Sequence, residues 1–373
     1  MNILLIYLPA FLVLLIVLVF VHEFGHYWIA RRCGVRVEVF SIGFGSEVFG
    51  WTDRAQTRWK FSAIPLGGYI RMFGEGPYSG GGAGGAPISE AEKAQSFAHK
   101  SLMRRAAIVF AGPAANLIFA VLVLTLLFMI KGQVERPTDI TALTPGSAAE
   151  AAGLLPGDRF HSINGTPIGN WREMSRMIRP NPGKPLNITV YRDGRTVTVV
   201  AVPQSKEVMD RAGEPTRIGF LGVFSGPGMR NGLGPYAAFL EASRESVEIA
   251  GFTLTAIGEM IVGKREITEL GGPLRIGQLS GDHARRGVMS FVILIALLSI
   301  NLGLINLFPI PMLDGGHLVF YGIEAIRGKP LAGNVQLISV RIGLVLLLAF
   351  MLFVTVNDLV NLPVYEFFKS LVI

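Results

Sequence analysis

The chain has 373 residues, 50% of them hydrophobic and only 16% charged, with a mean hydropathy of +0.47. That balance excludes an ordinary soluble protein and leaves room for one compact domain outside a set of membrane spans. The formal charge of +7 does not point to nucleic acid, because the basic residues flank apolar runs and fit membrane orientation and anionic headgroups.

Residues 1–33 form the first predicted segment. An almost unbroken apolar run from Ile3 to Val21 is long enough to cross a bilayer and ends in His22-Glu23-Phe24-Gly25-His26. On a helix, histidines at i and i+4 share one face, so both imidazoles reach one zinc ion while the adjacent glutamate acts on a water. Ionisable residues beside a spanning helix are costly, and with six histidines in the whole chain a chance HExxH is improbable. No basic segment precedes the run and no small-residue cleavage site follows it, so the first helix is expected to be retained. Cys33, the single cysteine, excludes an intrachain disulfide and a cysteine-rich zinc site.

Residues 34–105 read as a membrane-associated β region followed by a glycine-rich cytoplasmic loop. The run from Val35 to Gly45 alternates at period two, and the stretch Thr57 to Phe73 holds a second β-like run that ends in Gly67-Gly68. These strands are expected beside the first helix, dipping into the membrane boundary to seat Trp51, Trp59, Phe61 and Ile64. Their edge either pairs with an unwound substrate or only shields the site. Gly74 to Pro87 is a flexible linker, and residues 106–130 are the second span.

Residues 131–205 carry the soluble domain. Its signals are a loop-rich stretch from Ser147 to Ile168, a helical pattern around Trp171 to Ile178, and two strands flanking a turn at Asp193-Gly194. Ala-Gly-Leu, Pro-Gly-Asp and Ile-Asn-Gly, between Ala152 and Gly165, resemble a PDZ domain, which implies binding of an extended peptide or chain terminus by strand addition; the alternative is a domain that only blocks access.

Residues 206–287 are expected to be an extracytoplasmic linker with an amphipathic helix over Tyr236 to Val262, lying on the membrane surface or, alternatively, forming a fifth span. Residues 288–317 hold the third span. Residues 318–373 hold a cytoplasmic loop, a fourth span near Ile338 to Val356 interrupted by Arg341, and a tail. Arg31, Arg32, Lys93, Lys100, Arg104 and Arg105 between the first two spans, and Arg327 and Lys329 between the last two, place those loops in the cytoplasm. Arg285 and Arg286 break the pattern, but within a long translocated segment where the charge rule is weak.

Two histidines leave a catalytic zinc site short of one protein ligand. Asp314 supplies a candidate, in the run Asn306 to His317 where Pro309 and Pro311 break the third span and Gly315-Gly316 permits a tight turn. His161, His99 and His283 read as solvated or structural, and His317 as a neighbour of Asp314. Asn116 in the second span reads either as a cross-helix hydrogen bonder near the site or as purely structural.

Together HExxH on the first span, Pro65-Leu66-Gly67-Gly68-Tyr69, Gly112-Pro113-Ala114-Ala115-Asn116 on the second span, the PDZ-like domain and Asn306 to Gly316 on the third resemble the site-2 protease family of intramembrane zinc metalloproteases, of the bacterial regulator-of-sigma-E protease type. The resemblance covers nearly the whole chain, with one PDZ-like domain where well-known members carry two. It implies a multi-pass protein of the bacterial inner membrane, with zinc held by His22, His26 and Asp314 and with Glu23 as catalytic base. The PDZ-like domain would be extracytoplasmic and the active site would face the cytoplasmic side. The implied partners are the lipid bilayer and single-span membrane proteins already trimmed by another protease, such as anti-sigma factors, or signal-peptide remnants.

Asn306 is expected to donate to the substrate backbone or the developing oxyanion, and Gly43, Gly67, Gly68, Pro309 and Pro311 to contact substrate. The expected fold is therefore a polytopic α-helical membrane protein of about four spans, with a membrane-associated β-hairpin region and one extracytoplasmic α+β domain. Two other classes compete: a non-catalytic PDZ-bearing adaptor, against which the intact HExxH and Asp314 count, and a metal transporter, against which the convergence of polar residues at one depth counts.

Overall fold

The computed structural model describes residues 4–75, 89–135, 137–209, 215–226, 229–264 and 271–361. The glycine-rich linker, from residue 76 onward, and the tail after residue 361 lie outside the described residues. The chain divides into two compact units, one of residues 1–126 and 239–373 and the other of residues 127–238.

In the first unit, α1 (Leu4–Arg32) and α3 (Leu102–Lys131) are long apolar helices, and α2 (Glu90–Lys93) is a single turn capped by Ser89 in the stretch between them. Then come α6 (Pro235–Ile261), α7 (Pro273–Arg285), α8 (Val288–Asn306), α9 (Asp314–Arg327) and α10 (Gly333–Asn361). Four of these, α1, α3, α8 and α10, are long and apolar enough to cross a membrane. The HEFGH segment lies well inside α1, which continues to Arg32 rather than ending with the apolar run. Arg341 does not interrupt α10.

α6 is helical where the amphipathic segment was expected, and Thr253 donates to Asn301 of α8. The sequence reading had no counterpart for α7 and α9, whose polar residues hide them from any search for spans. Asp358 of α10, only 2% exposed, accepts from the Gly272 and Arg275 amides and so caps the α7 N-terminus. Tyr7 of α1 donates to Asp282 at the other end of α7, where Gly281 lies so close to the Tyr7 ring that a Cβ would stand 2.2 Å from it.

Strands β1 (Val37–Thr52) and β2 (Arg58–Met72) are longer than their pairing suggests, because each bends at glycines of positive φ: Gly43 and Gly45 in β1, Gly67 in β2. Phe40 is thereby the partner of Ile70 on one side and of Trp59 on the other. One face packs on α1 through Phe20, Tyr27, Phe40 and Trp59, whereas Val48, Phe49, Trp51 and Ile64 toward the far end stay exposed. Asp53 closes the turn by accepting from the Ala55 and Thr57 amides and the Trp59 indole; burial pushes its carboxyl up, but these donors win and hold it below the usual range.

The second unit starts with the end of α3 and with β3 (Gln133–Glu135) and β4 (Ile140–Leu143). It continues through α4 (Ala148–Ala151), β5 (Arg159–Ile163), β6 (Thr166–Pro167), α5 (Trp171–Ile178), β7 (Leu186–Arg192) and β8 (Arg195–Ala201). The sheet order is β6-β5-β7-β8 over a core of Phe160, Ile163, Ile188, Val190 and Leu154. Asp193 and Gly194, both of positive φ, make the two-residue turn between β7 and β8 that their sequence demands. The unit does not stop near residue 205: β9 (Gln204–Met209), β10 (Pro215–Phe220), β11 (Val223–Ser225) and β12 (Met229–Asn231) follow, and β11 pairs with β4 while β12 pairs with β3. The early strands would otherwise lack partners for their backbone groups.

Removing the Asp358 carboxylate leaves the first amides of α7 without an acceptor. Asp358→Ala is expected to destabilise the protein by about 1 to 2 kcal/mol, with Asp358→Asn losing less, as read by thermal unfolding in detergent.

Candidate metal centre

His22 and His26 lie one turn apart on α1, and Asp314 opens α9. Their reach toward one point depends on two close backbone approaches. The first is between α1 and α3, where a Cβ on Gly25 would stand 2.3 Å from the Ala111 carbonyl and 2.6 Å from the Ala115 Cβ. The second is at the start of α9: Met312, at φ 90°, turns the chain, and a Cβ on Gly315 or Gly316 would come within 2.2 Å or 2.4 Å of the Phe308 or Ile310 carbonyl. The turn expected at Gly315-Gly316 is thus made by Met312; the two glycines are helical and serve close packing against the preceding proline-containing loop.

The resulting triangle has edges of 3.2 Å between the two histidine Nε2 atoms, 3.1 Å from His22 Nε2 to Asp314 Oδ2 and 3.5 Å from His26 Nε2 to the same oxygen. Ligand atoms about 2.0 to 2.2 Å from a tetrahedral ion stand roughly 3.3 to 3.6 Å apart, so the spacing fits. Asp314 Oδ2 is buried with no hydrogen-bond partner among the described residues, as an oxygen reserved for a metal would be. His26 Nδ1 lies 2.8 Å from the Ile108 carbonyl, which can only accept; Nδ1 therefore carries the proton and Nε2 keeps its lone pair toward the centre. Gly112 sits against this ring, since a Cβ there would be 2.2 Å from His26 Nε2.

A cavity of about 870 Å³ opens on this triangle and is lined by Glu23, Tyr69, Ile70, Asn306 and His317 as well as the three candidate ligands. The Glu23 carboxylate lies beside the Ile70 backbone, on the outer segment of β2. Of the expected substrate contacts, Asn306 lines the cavity. Gly43, Gly67, Gly68, Pro309 and Pro311 do not line it: Gly43 and Gly67 stand where the strands bend, Gly68 packs on Val19 and Glu23 of α1, and Pro311 abuts Gly343 of α10.

Sequence reasoning missed Glu75, Tyr321 and the ion pair Arg105–Glu324, which line the same cavity and tie α3 to α9. Arg105 read only as an orientation signal, yet a lone Glu324 in the segment after the third span was a signal for a partner. His161 packs at a tilt against Tyr191, His99 meets Ser96 and His283 meets Ser290, and none of the three is among the candidate ligands.

Four helices of membrane-spanning length among the described residues, and a largely shielded His-His-Asp triangle with a glutamate at its side, are the features of a membrane metallohydrolase. Residues 10–350 match the peptidase family M50. A provisionally named zinc metalloprotease of Agrobacterium fabrum is 41% identical over 362 residues, 95% of this chain and 96% of its own, and one of Brucella suis is 42% identical over 355, 94% of each. The regulator of sigma E protease of Salmonella typhimurium is 32% identical over 452 aligned positions, covering 94% of this chain and 98% of its own length. The chain belongs to peptidase family M50, and it is an intramembrane zinc metalloprotease.

Gly112→Val should push the His26 ring out of line. The expected outcome is at least a roughly tenfold loss in zinc affinity, measured by chelator competition, while the helix content seen by circular dichroism stays unchanged.

Proposed function

We propose that His22, His26 and Asp314 hold the zinc, that Glu23 is the general base, and that the substrate is a membrane-spanning segment presented as an extended strand. The observation that carries this reading is the triangle of Nε2, Nε2 and Oδ2 atoms with edges of 3.1 to 3.5 Å, beside a glutamate in the same cavity. Zinc, when bound, supplies Lewis acidity that lowers the pKa of a water and polarises a peptide carbonyl. Glu23 takes the proton as the water attacks and returns it to the leaving amine nitrogen. The Asn306 side chain, at the cavity wall, donates to the carbonyl oxygen as negative charge develops there.

A helix hides its carbonyls in its own hydrogen bonds, so a spanning substrate has to unwind before Glu23 can act on it. The outer segment of β2, Gly68 to Met72, runs past Glu23 and offers a backbone on which an unwound segment can pair. Residues 127–238 act as a PDZ-like domain that binds a peptide or chain terminus; the Ala152–Gly165 motif and the β6-β5-β7-β8 sheet with α4 and α5 support this. Loop charges support a cytoplasmic-side active site and an extracytoplasmic PDZ-like domain, and the spans together with the bacterial relatives support an inner-membrane location. The name of the Salmonella relative, regulator of sigma E protease, supports a role in sigma-factor regulation. The substrate class we propose is single-span membrane proteins already trimmed by another protease, such as anti-sigma factors.

The test is cleavage of a single-span substrate in proteoliposomes. Glu23→Gln is expected to keep zinc and lose about 10²- to 10⁴-fold in rate, while Asp314→Ala loses zinc as well; chelation abolishes cleavage and added zinc restores it. Parent-like turnover by Glu23→Gln would sink the base assignment, whereas no cleavage by either protein together with no bound zinc would move the adaptor reading forward. Replacing helix-breaking residues of the substrate span by leucine is expected to slow cleavage about tenfold or more, because unwinding then costs over 1 kcal/mol extra.

A further inference from the structure

Asn116 of α3 is fully buried, and its Oδ1 has no hydrogen-bond partner among the described residues. Its Nδ2 stands 3.2 Å from Nδ1 of His22, on the side of the ring away from Asp314. A buried amide oxygen left without a donor is costly, and one half-turn of the carboxamide exchanges Oδ1 and Nδ2 without changing its shape. A histidine that offers Nε2 to a metal must carry its proton on Nδ1 and needs an acceptor there. His26 meets that need through the Ile108 carbonyl of α3. Two turns further along the same helix, at the matching position for the antiparallel α1, the group facing His22 is Asn116.

Resting on the reading of His22 as a zinc ligand, we infer that Asn116 is a positioning residue: its Oδ1 accepts from His22 Nδ1–H, fixing the tautomer and ring angle that leave Nε2 free for the zinc. Its own placement is fixed from a third helix. Ser299 of α8, also fully buried, donates to the Asn116 carbonyl at 2.8 Å, and Gly303 one turn on lets α8 approach to within 3.0 Å of the Pro113 carbonyl for a Cβ in its place. α3 thus orients both histidines of the motif, one with a main-chain oxygen and one with a side-chain oxygen.

The experiment is zinc competition against a chromophoric chelator with the detergent-solubilised full chain. Asn116→Leu keeps the volume and removes the acceptor; it is expected to weaken zinc binding about 10- to 100-fold, whereas Asn116→Asp, which keeps an acceptor, stays within about threefold of the parent. In a His22→Ala background, Asn116→Leu should add nothing to the loss. Unchanged affinity in Asn116→Leu, equal weakening by Leu and Asp, or an undiminished Asn116→Leu effect without His22 overturns the inference. Parent-like zinc binding by His22→Ala would overturn the ligand assignment itself; weakened binding by His22→Ala with Asn116→Leu at the parent value overturns the role of Asn116 alone.

Discussion

The contact on which the site depends is the close crossing of α1 and α3. Gly25 within the HExxH motif meets Ala111 and Ala115, and Gly112 meets the His26 ring, with room for no further carbon atom. In a bilayer there is no hydrophobic gain to drive two apolar helices together, so backbone proximity and van der Waals contact have to do it. The same proximity brings the Ile108 carbonyl to His26 and the Asn116 amide to His22. Side chains that bulk the interface by one methyl would separate the histidines from both oxygen and amide partners.

The third corner of the centre arrives by a different physical route. A continuous α8 would carry residue 314 out along its own axis. Pro309 and Pro311 withhold the amides that would extend it, and Met312 turns in a conformation that a non-glycine residue adopts at a cost. α9 then starts with Asp314 in its first turn, where a carboxylate is favoured by the helix dipole, and the glycines after it let the new helix rest on the loop it has just left. Pro311 in turn receives Gly343 of α10, so the loop is clasped from the side of the fourth span as well.

The parts of this arrangement that were legible in the sequence share one property: their signal is local. HExxH announces itself by i, i+4 spacing on an apolar helix, the spans by their hydropathy, and the β7–β8 turn by Asp193-Gly194. What escaped depends on distant partners. α7 and α9 are short and mixed in polarity, and only their neighbours, Asp358 and Tyr7 for the one and Arg105 for the other, show why they form. The strands β9 to β12 read as linker because three to six residues carry little periodicity, yet β4 and β3 cannot complete their pairing without β11 and β12. Gly43 and Gly67 stand at bends of the strands and Gly68 packs on α1, structural roles that the spacing of the glycines did not announce.

The bent hairpin is apolar at its far end in a way that sets it apart from a soluble one. Val48, Phe49, Trp51 and Ile64 are exposed at 73%, 61%, 46% and 52%, while the base of the same strands is buried against α1. A tip of that composition fits the depth where hydrocarbon meets headgroup. If substrate pairs on the outer strand as proposed, a tip seated there would hold that edge at a fixed height beside Glu23 and make the bilayer a ruler. A change in membrane thickness would then move the cleavage point along the substrate even if no residue of either protein changed.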